Sequence, residues 1–407
     1  MKPRLAFVVQ RYGLEVNGGA ELYCRQVSER LTSYYEVEVI TTCAIDHVTW
    51  RNEYPPGVQE LNGVTVRRFS VDRPRHPRFF YHLSRLTYAW RTKRGFLRHL
   101  QPFLEERWMR AQGPYSSTLL RHLSQHQEDY HVLIFFTYLY CTTYYGLPRV
   151  ASRALLVPTA HDEPPIYLGL FRKIFTAPRG ILYNTVEERN FVQELFGNRD
   201  LPSEVVGVGI EVPPTTDETL FRKKFALCDP YLLYVGRIEV SKGCAQLFDW
   251  FISRRRRLPP EMKLVLVGKA IMPLPTHPDI IPAGFLSEEE KWAAISEAFA
   301  VVVPSPYESL SMSLLEAWAC GKPALVNGRC AVLKAHCLRS NAGLYYENEN
   351  EFFACFDFLM NHPEEARQMG LNGQAYVRAN YGWEQVKAKY EQAVAWVFKP
   401  LSASVHG

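Results

Sequence analysis

The sequence of 407 residues lacks the long apolar segments of membrane-spanning proteins. It contains no run of 18 apolar residues, so no transmembrane helix is predicted. The apolar run nearest the N-terminus, 5–9, is too short for the core of a secretory leader and predicts a first β-strand instead. A chain with 47% apolar and 22% charged residues is typical of a globular protein with two or three domains.

The sequence also lacks paired cysteines. Its nine cysteines are scattered and include no Cys-x-x-Cys pair. An odd number of thiols without a leader indicates reduced cysteines and a cytoplasmic location. Cys330, His336 and Cys337 lie close together, but no second Cys/His pair follows them, so we expect no metal site.

Acidic residues are missing from one segment. Between Arg73 and Arg98 the chain has eight Lys or Arg residues and no Asp or Glu, although the net charge of +5 is too small to indicate nucleic-acid binding. The interleaved aromatic residues are Phe79, Phe80, Tyr81, Tyr88, Trp90 and Phe96. Two interpretations of 73–110 stay open. It forms an amphipathic helix pair with a solvated basic face, or it recruits an anionic acceptor or the inner face of a membrane carrying a lipid-linked glycan.

Apolar runs alternate with helical segments along the whole chain, which predicts an α/β fold with two doubly wound, mainly parallel sheets. The predicted strands of the first half are 4–10, 35–42, 64–69, 132–138, 153–159 and 180–185. A Gly/Pro-rich segment at 205–214 indicates a linker, and the alternation then begins again. The predicted strands of the second half are 231–236, 262–268, 280–284, 299–305, 322–327 and 342–346. Three helices close the chain, the last at 383–398.

Two cations follow the first strand of the second half. Arg237 comes directly after Gly236 at the strand end, and Lys242 lies at the start of the next helix. A guanidinium can bind two phosphate oxygens and an ammonium supplies a compact charge, so the pair is suited to a diphosphate. Ordinary solvated surface charges are the alternative interpretation.

The segment 307–323, YESLSMSLLEAWACGKP, places two glutamates around a predicted helix start. Ser313 and Glu316 have the spacing of a capping box, in which Glu316 would satisfy only backbone donors and Glu308 would be a solvated loop acid. A binding interpretation is also open. Free N–H groups at a helix start favour an anion, and carboxylates accept hydrogen bonds from sugar hydroxyl groups.

Four motifs resemble those of the large family of retaining GT-B-fold glycosyltransferases with a two-glutamate motif, the glycosyl transferases group 1. The segment 307–323 resembles the two-glutamate signature, and VGRIEVSKG (235–243) resembles the segment that holds the donor diphosphate. NGGAE (17–21) resembles the Gly-Gly loop after the first strand, and PTAHDEP (158–164) resembles the loop that places a histidine against the donor sugar. The motifs occur in the family order over nearly the whole chain.

The resemblance implies a GT-B architecture. Two Rossmann-like domains would face each other across a cleft: an acceptor-side domain at 1–207 with a returning helix at 383–400, and a donor domain at 208–382. It also implies a role for each matching residue. Arg237 and Lys242 would neutralise the donor diphosphate, Glu308 and Glu316 would accept from hydroxyl groups of the sugar and the ribose, and His161 would contact the sugar near the reacting carbon. The remaining implied donor-binding residues are Gly18, Gly19, Gly236, Gly268, Phe285, Leu286, Ser309, Leu310, Ser311 and Met312.

The resemblance further implies transfer of a hexose-type sugar from a nucleotide-diphosphate sugar, with retention, to a glycan, lipid-linked or small-molecule acceptor. The sequence has no Asp-x-Asp, the pattern with which metal-dependent glycosyltransferases bind a divalent ion, so neither a metal nor another cofactor is expected. Ser309 and Ser311 replace glycines that are frequent in relatives. A nucleotide-sugar epimerase and a non-catalytic nucleotide-sugar binding protein remain alternatives, as does a peripheral position on the inner membrane face through 73–110.

Overall fold

The computed structural model describes residues 2–16, 18–90, 99–212, 220–253 and 262–398. The chain forms two compact units. The first comprises Met1–Gly207 and Lys387–Gly407, and the second comprises Val208–Val386. Each unit is built on its own sheet with covering helices, which confirms the predicted α/β class.

The first sheet has eight strands in the order β3-β4-β2-β1-β5-β6-β7-β8. Every neighbouring pair is parallel except β3 and β4. In chain order the strands are β1 Arg4–Val8, β2 Glu36–Thr42, β3 Gly57–Leu61, β4 Val64–Phe69, β5 Val132–Phe136, β6 Ala154–Val157, β7 Gly180–Tyr183 and β8 Ser203–Val205. The sequence analysis did not predict β3 or β8. The first is an exposed edge strand without an apolar face, and the second has three residues.

The second sheet has six parallel strands in the order β11-β10-β9-β12-β13-β14. They are β9 Tyr231–Val235, β10 Lys263–Val267, β11 Ile280–Gly284, β12 Ala300–Val303, β13 Ala324–Asn327 and β14 Gly343–Tyr346. The strand order reverses between β9 and β12, which lie side by side. In open sheets of this kind ligands bind beyond the carboxyl ends of the strands at such a reversal.

Helices cover both sheets. Those of the first unit are α1 Gly19–Leu31, α2 Pro77–Trp90, α3 Gln101–Gln112, α4 Ser117–His126, α5 Cys141–Gly146, α6 Arg172–Thr176 and α7 Val186–Phe196. Those that follow are α8 Leu220–Phe225, α9 Cys244–Ser253, α10 Glu288–Ser296, α11 Met312–Ala319, α12 Ala331–Ser340, α13 Glu349–Asn361, α14 Pro363–Asn380 and α15 Trp383–Phe398. Within the described residues no helix combines the length and apolar character needed to cross a bilayer.

The last helix, α15, returns to the first unit from residue 387 onward. The hydroxyl groups of Tyr23 on α1 and Tyr390 on α15 lie 2.7 Å apart in the core. Lys389 Nζ donates to the Val205 carbonyl at 2.7 Å, and Arg179 Nη2 donates to the Trp396 carbonyl at 3.1 Å. The contact between the two buried tyrosines and the hydrogen bonds to these two carbonyl groups therefore hold α15 against the first unit.

Close backbone contacts join the carboxyl ends of β9, β10 and β11 in the second sheet. The Gly268 N–H after β10 donates to the Gly284 carbonyl at 2.7 Å, and the Gly236 N–H donates to the Val267 carbonyl at 2.9 Å. A Cβ atom on Gly268 would lie 1.9 Å from the Gly236 carbonyl oxygen. The strand ends can approach this closely because Gly268 has no side chain.

Gly268→Ala is expected to destabilise the second unit by about 3 kcal/mol, because a steric overlap with fixed backbone adds to an unfavourable positive φ. Gly284→Ala is the matched control. It has a φ of +71° but open space around its Cβ position, so we expect a loss of about 1 kcal/mol. Chemical unfolding of the full chain, followed by a signal from the second unit, measures both. Equal stability of the two variants would contradict the close contact.

Candidate functional site

The two predicted cations lie just beyond the carboxyl end of β9. The backbone of Arg237 is held by the Tyr234 hydroxyl group, which donates to the Arg237 carbonyl at 2.6 Å. Its guanidinium Nη2 lies 3.3 Å from Glu239 Oε1. Lys242 ends a short 3-10 turn that begins at Val240. Arg237 is thus at the strand end, as predicted, whereas Lys242 was predicted at the start of the next helix and lies in the turn just before α9, which begins at Cys244. Arg237 also has a carboxylate neighbour that the sequence analysis did not anticipate.

Lys242 and Glu308 are joined by a salt bridge. Lys242 Nζ lies 2.7 Å from Glu308 Oε1, and the two side chains are 26% and 17% exposed. Lys242 follows β9 and Glu308 follows β12, so the pair links the two strands between which the strand order reverses. A cation and a carboxylate that come from separate motifs therefore meet at one point of the sheet edge.

The backbone around this pair is fixed by the ends of three strands. Gly243, directly after Lys242, packs so closely on the Pro304 carbonyl that a Cβ atom would lie 2.3 Å from its oxygen. Asn327 Nδ2, at the end of β13, donates to the same carbonyl at 2.9 Å. These contacts hold the loop after β12, and with it Glu308, in register with the turn after β9.

The loop before α11 contains the predicted phosphate-binding residues. Ser309 is partly buried, Leu310 is buried, and Ser311 precedes the helix with φ 73° and ψ 88°. This left-handed conformation is unfavourable for residues other than glycine. Ser311 thus adopts a backbone conformation that glycine adopts more readily. The N–H groups of the first turn, from Met312 onward, have no carbonyl partners within the helix.

The predicted capping box at Ser313 and Glu316 is wrong. Helix α11 begins at Met312, so Ser313 is already inside the first turn, and no side chain caps the helix. Glu316 instead accepts from Lys291 Nζ on α10 at 2.8 Å. This pair is largely buried, with side-chain exposures of 11% for Lys291 and 6% for Glu316.

Burial and pairing act on the pKa values of this ion pair in opposite ways. Burial raises the pKa of Glu316, and the Lys291 ammonium opposes that rise. For Lys291, burial lowers the pKa but the attraction of Glu316 and Glu288 outweighs it, so the net pKa is raised. A buried lysine beside a carboxylate therefore keeps its proton, and the pair fixes the orientation of Glu316.

The remaining predicted donor residues of the second unit lie at the neighbouring strand ends. Gly236 follows β9, Gly268 follows β10, and Phe285 and Leu286 follow β11. Leu286 is buried, whereas Phe285 is 68% exposed and presents its ring to solvent. Apart from Glu316, which lies within α11, the predicted residues of the second unit thus lie at the carboxyl edge of one sheet.

In the first unit, Gly18 and Gly19 form the start of α1. A Cβ atom on Gly18 would lie 2.1 Å from Glu21 Oε2, whereas one on Gly19 would meet no atom within 4 Å. Glu21 is buried against Arg11, whose Nη2 lies 2.5 Å from Glu21 Oε1. Burial opposes ionisation of Glu21, but Arg11 outweighs it and the pKa is lowered. An ion pair therefore supports the loop, and Gly19 leaves open space beside it.

His161 lies four residues beyond the end of β6 and is 28% exposed. Its Nε2 lies 3.4 Å from Glu163 Oε1, which also accepts from the Tyr138 hydroxyl group at 2.9 Å. Thr159, two residues before His161, has φ 49°. The histidine is therefore on a tightly turned loop with a carboxylate neighbour. Gly18, Gly19 and His161 belong to the first unit, and the other predicted site residues belong to the second.

Three charged partners were missed by the sequence analysis: Glu163, Glu239 and Lys291. Glu163 and Glu239 each lie two residues from a predicted site residue, a spacing that could have suggested them. Lys291 follows three glutamates on α10, where it has the pattern of an exposed helix charge. Across the described ranges, no group of three His, Cys, Asp or Glu side chains is placed to hold a metal ion.

Comparison with known proteins finds a family similarity within the second unit. Residues 216–376 match the model of the family described as glycosyl transferases group 1. The chain is also 28% identical, over 206 residues, to an MMP alpha-(1->4)-mannosyltransferase from Mycolicibacterium hassiacum. This match covers 46% of the chain and 49% of the relative, so it spans about half the length of that protein.

Solved structures resemble the whole chain. A sucrose-phosphate synthase from Thermosynechococcus elongatus has a TM-score of 0.71 at 17% identity, covering 98% of this chain and 99% of its own. The Anabaena protein HepE, solved in complex with UDP-glucose, has a TM-score of 0.69 at 13% identity, covering 96% and 99%. At these identities the likeness shows the fold. The prediction of a GT-B fold with two Rossmann-like halves is confirmed.

The backbone at Ser311 generates a stability prediction. Ser311→Val is expected to destabilise the second unit by about 2 kcal/mol, because a β-branched residue is strongly disfavoured at positive φ. Ser311→Gly is expected to be neutral or stabilising by up to about 1 kcal/mol, because glycine adopts this conformation without strain.

Ser313→Val is the matched control. A β-branched residue inside a helix lowers the free energy of unfolding by only about 0.5 kcal/mol. Chemical unfolding of the three variants measures their free energies of unfolding and so ranks their stabilities. Equal losses for Ser311→Val and Ser313→Val would contradict the left-handed backbone at Ser311.

Proposed function

We propose that the protein is a retaining, metal-independent hexosyltransferase that moves a sugar from a nucleotide-diphosphate donor to a glycan, lipid-linked or small-molecule acceptor. The observation that carries this proposal is the meeting of Lys242 and Glu308 at the strand reversal of a glycosyl transferases group 1 domain. A diphosphate leaving group needs positive charge, and a sugar needs hydrogen-bond acceptors. This edge of the sheet supplies both.

In this proposal the leaving diphosphate is stabilised by protein groups. Arg237 and Lys242 supply two positive charges, and the free N–H groups at the start of α11 add further donors. As negative charge develops on the leaving phosphate, these groups stabilise the transition state more than the ground state. No metal is needed for this step, because the charge it would supply is already present.

The carboxylates bind the two sugars of the donor. Glu308 accepts from hydroxyl groups of the transferred sugar, and Glu316, oriented by Lys291, accepts from the ribose. Phe285 and Leu286 contact the base from the end of β11. For His161 we propose contact with the sugar near the reacting carbon, and for Gly18 and Gly19 close approach of the first loop to the substrate.

The relatives support a nucleotide-sugar donor. HepE was solved with UDP-glucose, and the Mycolicibacterium relative is described as a mannosyltransferase. Both descriptions involve a hexose, which agrees with a hexose-type donor for this chain. A panel of UDP-, GDP- and ADP-sugars is therefore the appropriate starting point for an assay.

Arg237→Ala is expected to lower the transfer rate by about 10²-fold or more, because one charged contact to the leaving group is lost. Glu308→Ala is expected to reduce kcat/KM by a similar factor of about 10², because Lys242 and the sugar both lose a partner. The measurement is sugar transfer from the nucleotide-sugar panel.

Lys224→Ala is the control variant. Its ammonium pairs with Glu290 at 2.6 Å elsewhere in the second unit, so transfer should stay within about twofold of the parent. Full activity of both site variants would overturn the proposed roles. Release of a free epimerised sugar without any acceptor would assign the chain to the epimerases instead.

The surface of α2 and α3 supports a second part of the proposal, peripheral contact with an anionic membrane. Large apolar side chains are exposed on these helices and at the residue before α3, namely Phe79, Tyr81, Leu86, Leu100 and Phe103. Exposed arginines accompany them, with Arg85 over the Tyr81 ring and Arg107 over the Phe79 ring. Cations beside exposed apolar side chains are typical of surfaces that bind anionic lipid. Four further cations of the basic segment, Arg91, Lys93, Arg94 and Arg98, lie outside the described residues.

Arg85→Glu combined with Arg107→Glu is expected to weaken binding to vesicles rich in anionic lipid by about 30-fold or more, since each basic residue near such a surface contributes about 1 kcal/mol and both charges are lost. Arg199→Glu, an exposed arginine after α7, is the control and should change binding little. Vesicle co-sedimentation measures both. Unchanged binding of the double variant, or binding that is insensitive to salt, would remove membrane contact through α2 and α3.

A further inference from the structure

Glu188 is a buried acid whose position the proposed mechanism does not yet explain. It lies in the first turn of α7 and is 2% exposed. Its Oε1 accepts from the Ala160 N–H at 2.5 Å, and its Oε2 accepts from the Asn184 N–H at 2.6 Å. One carboxyl group thus connects the loops that follow two neighbouring strands, β6 and β7.

The first of these contacts is made directly beside His161. Ala160 is the residue before the histidine, and Thr159 before it has φ 49°. The hydrogen bond therefore stabilises the strained turn that carries His161. A strained backbone conformation persists only where surrounding contacts hold it in place.

The electrostatics are consistent with contact between these groups. Burial raises the pKa of Glu188 to about 8, while the N–H groups of Asn184 and Ala160 and the charge of His161 oppose the rise. Because Glu188 is nearly inaccessible, it is not placed to touch a substrate. Its effect on a reaction has to pass through the residues that it holds.

We propose that Glu188 is a positioning residue for His161, which it holds through the Ala160 N–H so that the imidazole keeps one orientation. The proposal rests on the proposed function, in which His161 contacts the donor sugar. It predicts that loss of the second acceptor oxygen of Glu188 displaces His161 and slows transfer, even though the donor residues of the second unit are unchanged.

Glu188→Gln tests this role. Glutamine has the same shape, but its NH₂ group cannot accept from a backbone N–H, whereas both oxygens of a carboxyl group can accept in either protonation state, so one contact is lost. We expect kcat to fall by about 10- to 100-fold, because a small misplacement near the reacting carbon is costly. KM for the donor should stay within about threefold, since uniform donor binding is not touched. In an NMR spectrum, the His161 Cε1–H resonance should move.

Thr185→Ala is the matched control on the same helix. The Thr185 Oγ1 accepts from the Glu188 N–H at 3.1 Å and caps α7. This variant should lose stability through the missing cap and yet keep kcat within about twofold and the His161 resonance in place. If Glu188→Gln does not fold, Glu188→Asp replaces it, because aspartate keeps the acid and shortens its reach by one methylene.

The outcomes separate this proposal from the proposed function. Parental kcat and an unmoved His161 resonance in the Glu188 variant would overturn the positioning role, as would an equal kcat loss in Thr185→Ala. If the parent protein transfers no sugar from any donor, the proposed function fails. The His161 resonance still reports whether Glu188 positions the imidazole, because that measurement requires no activity.

Discussion

The salt bridge between Lys242 and Glu308 is the interaction on which the candidate site depends. It joins the carboxyl ends of β9 and β12, the two adjacent strands between which the order of the second sheet reverses. It is the side-chain contact between the loop that supplies the cation and the loop that supplies the carboxylate. The close contact of Gly243 with Pro304 and the hydrogen bond from Asn327 keep those loops in register. The geometry of the pair is therefore a consequence of the sheet rather than of the two side chains alone.

The same salt bridge is weak enough to be replaced by contacts of Lys242 and Glu308 with a substrate. Its side chains are partly exposed, and a pair of this kind contributes about 1 kcal/mol or less. A diphosphate offers Lys242 charge-assisted hydrogen bonds, and a sugar offers hydroxyl donors to Glu308. Glu316 and Lys291 behave differently, because their pair is largely buried and breaking it would leave a charge without a partner. The site thus combines one exchangeable ion pair with one fixed pair.

Much of the architecture could be predicted because buried parallel strands appear in the sequence as nearly continuous apolar runs. Each of the twelve predicted strands matches an observed one. The edge strand β3 was missed because its residues are exposed, and β8 because it is short. A capping box is observed at Ser287 and Glu290, whereas the one predicted at Ser313 and Glu316 is wrong. Both pairs have the same spacing, but the residue that precedes α11 is Ser311, two residues before the predicted cap Ser313, and a spacing rule cannot register that.

The positions of the site residues followed from strand ends, but their partners did not. Lys291 and Glu188 contact residues that are distant in the sequence. The local sequence around Lys291 is typical of a solvated helix face, and that around Glu188 is typical of an ordinary first helical turn. A crystal structure with a bound nucleoside diphosphate tests the central claim most directly. We expect its phosphates within hydrogen-bond distance of Arg237 and Lys242, with Lys242 moved from Glu308. A diphosphate bound elsewhere, with the Lys242–Glu308 salt bridge intact, would contradict this account.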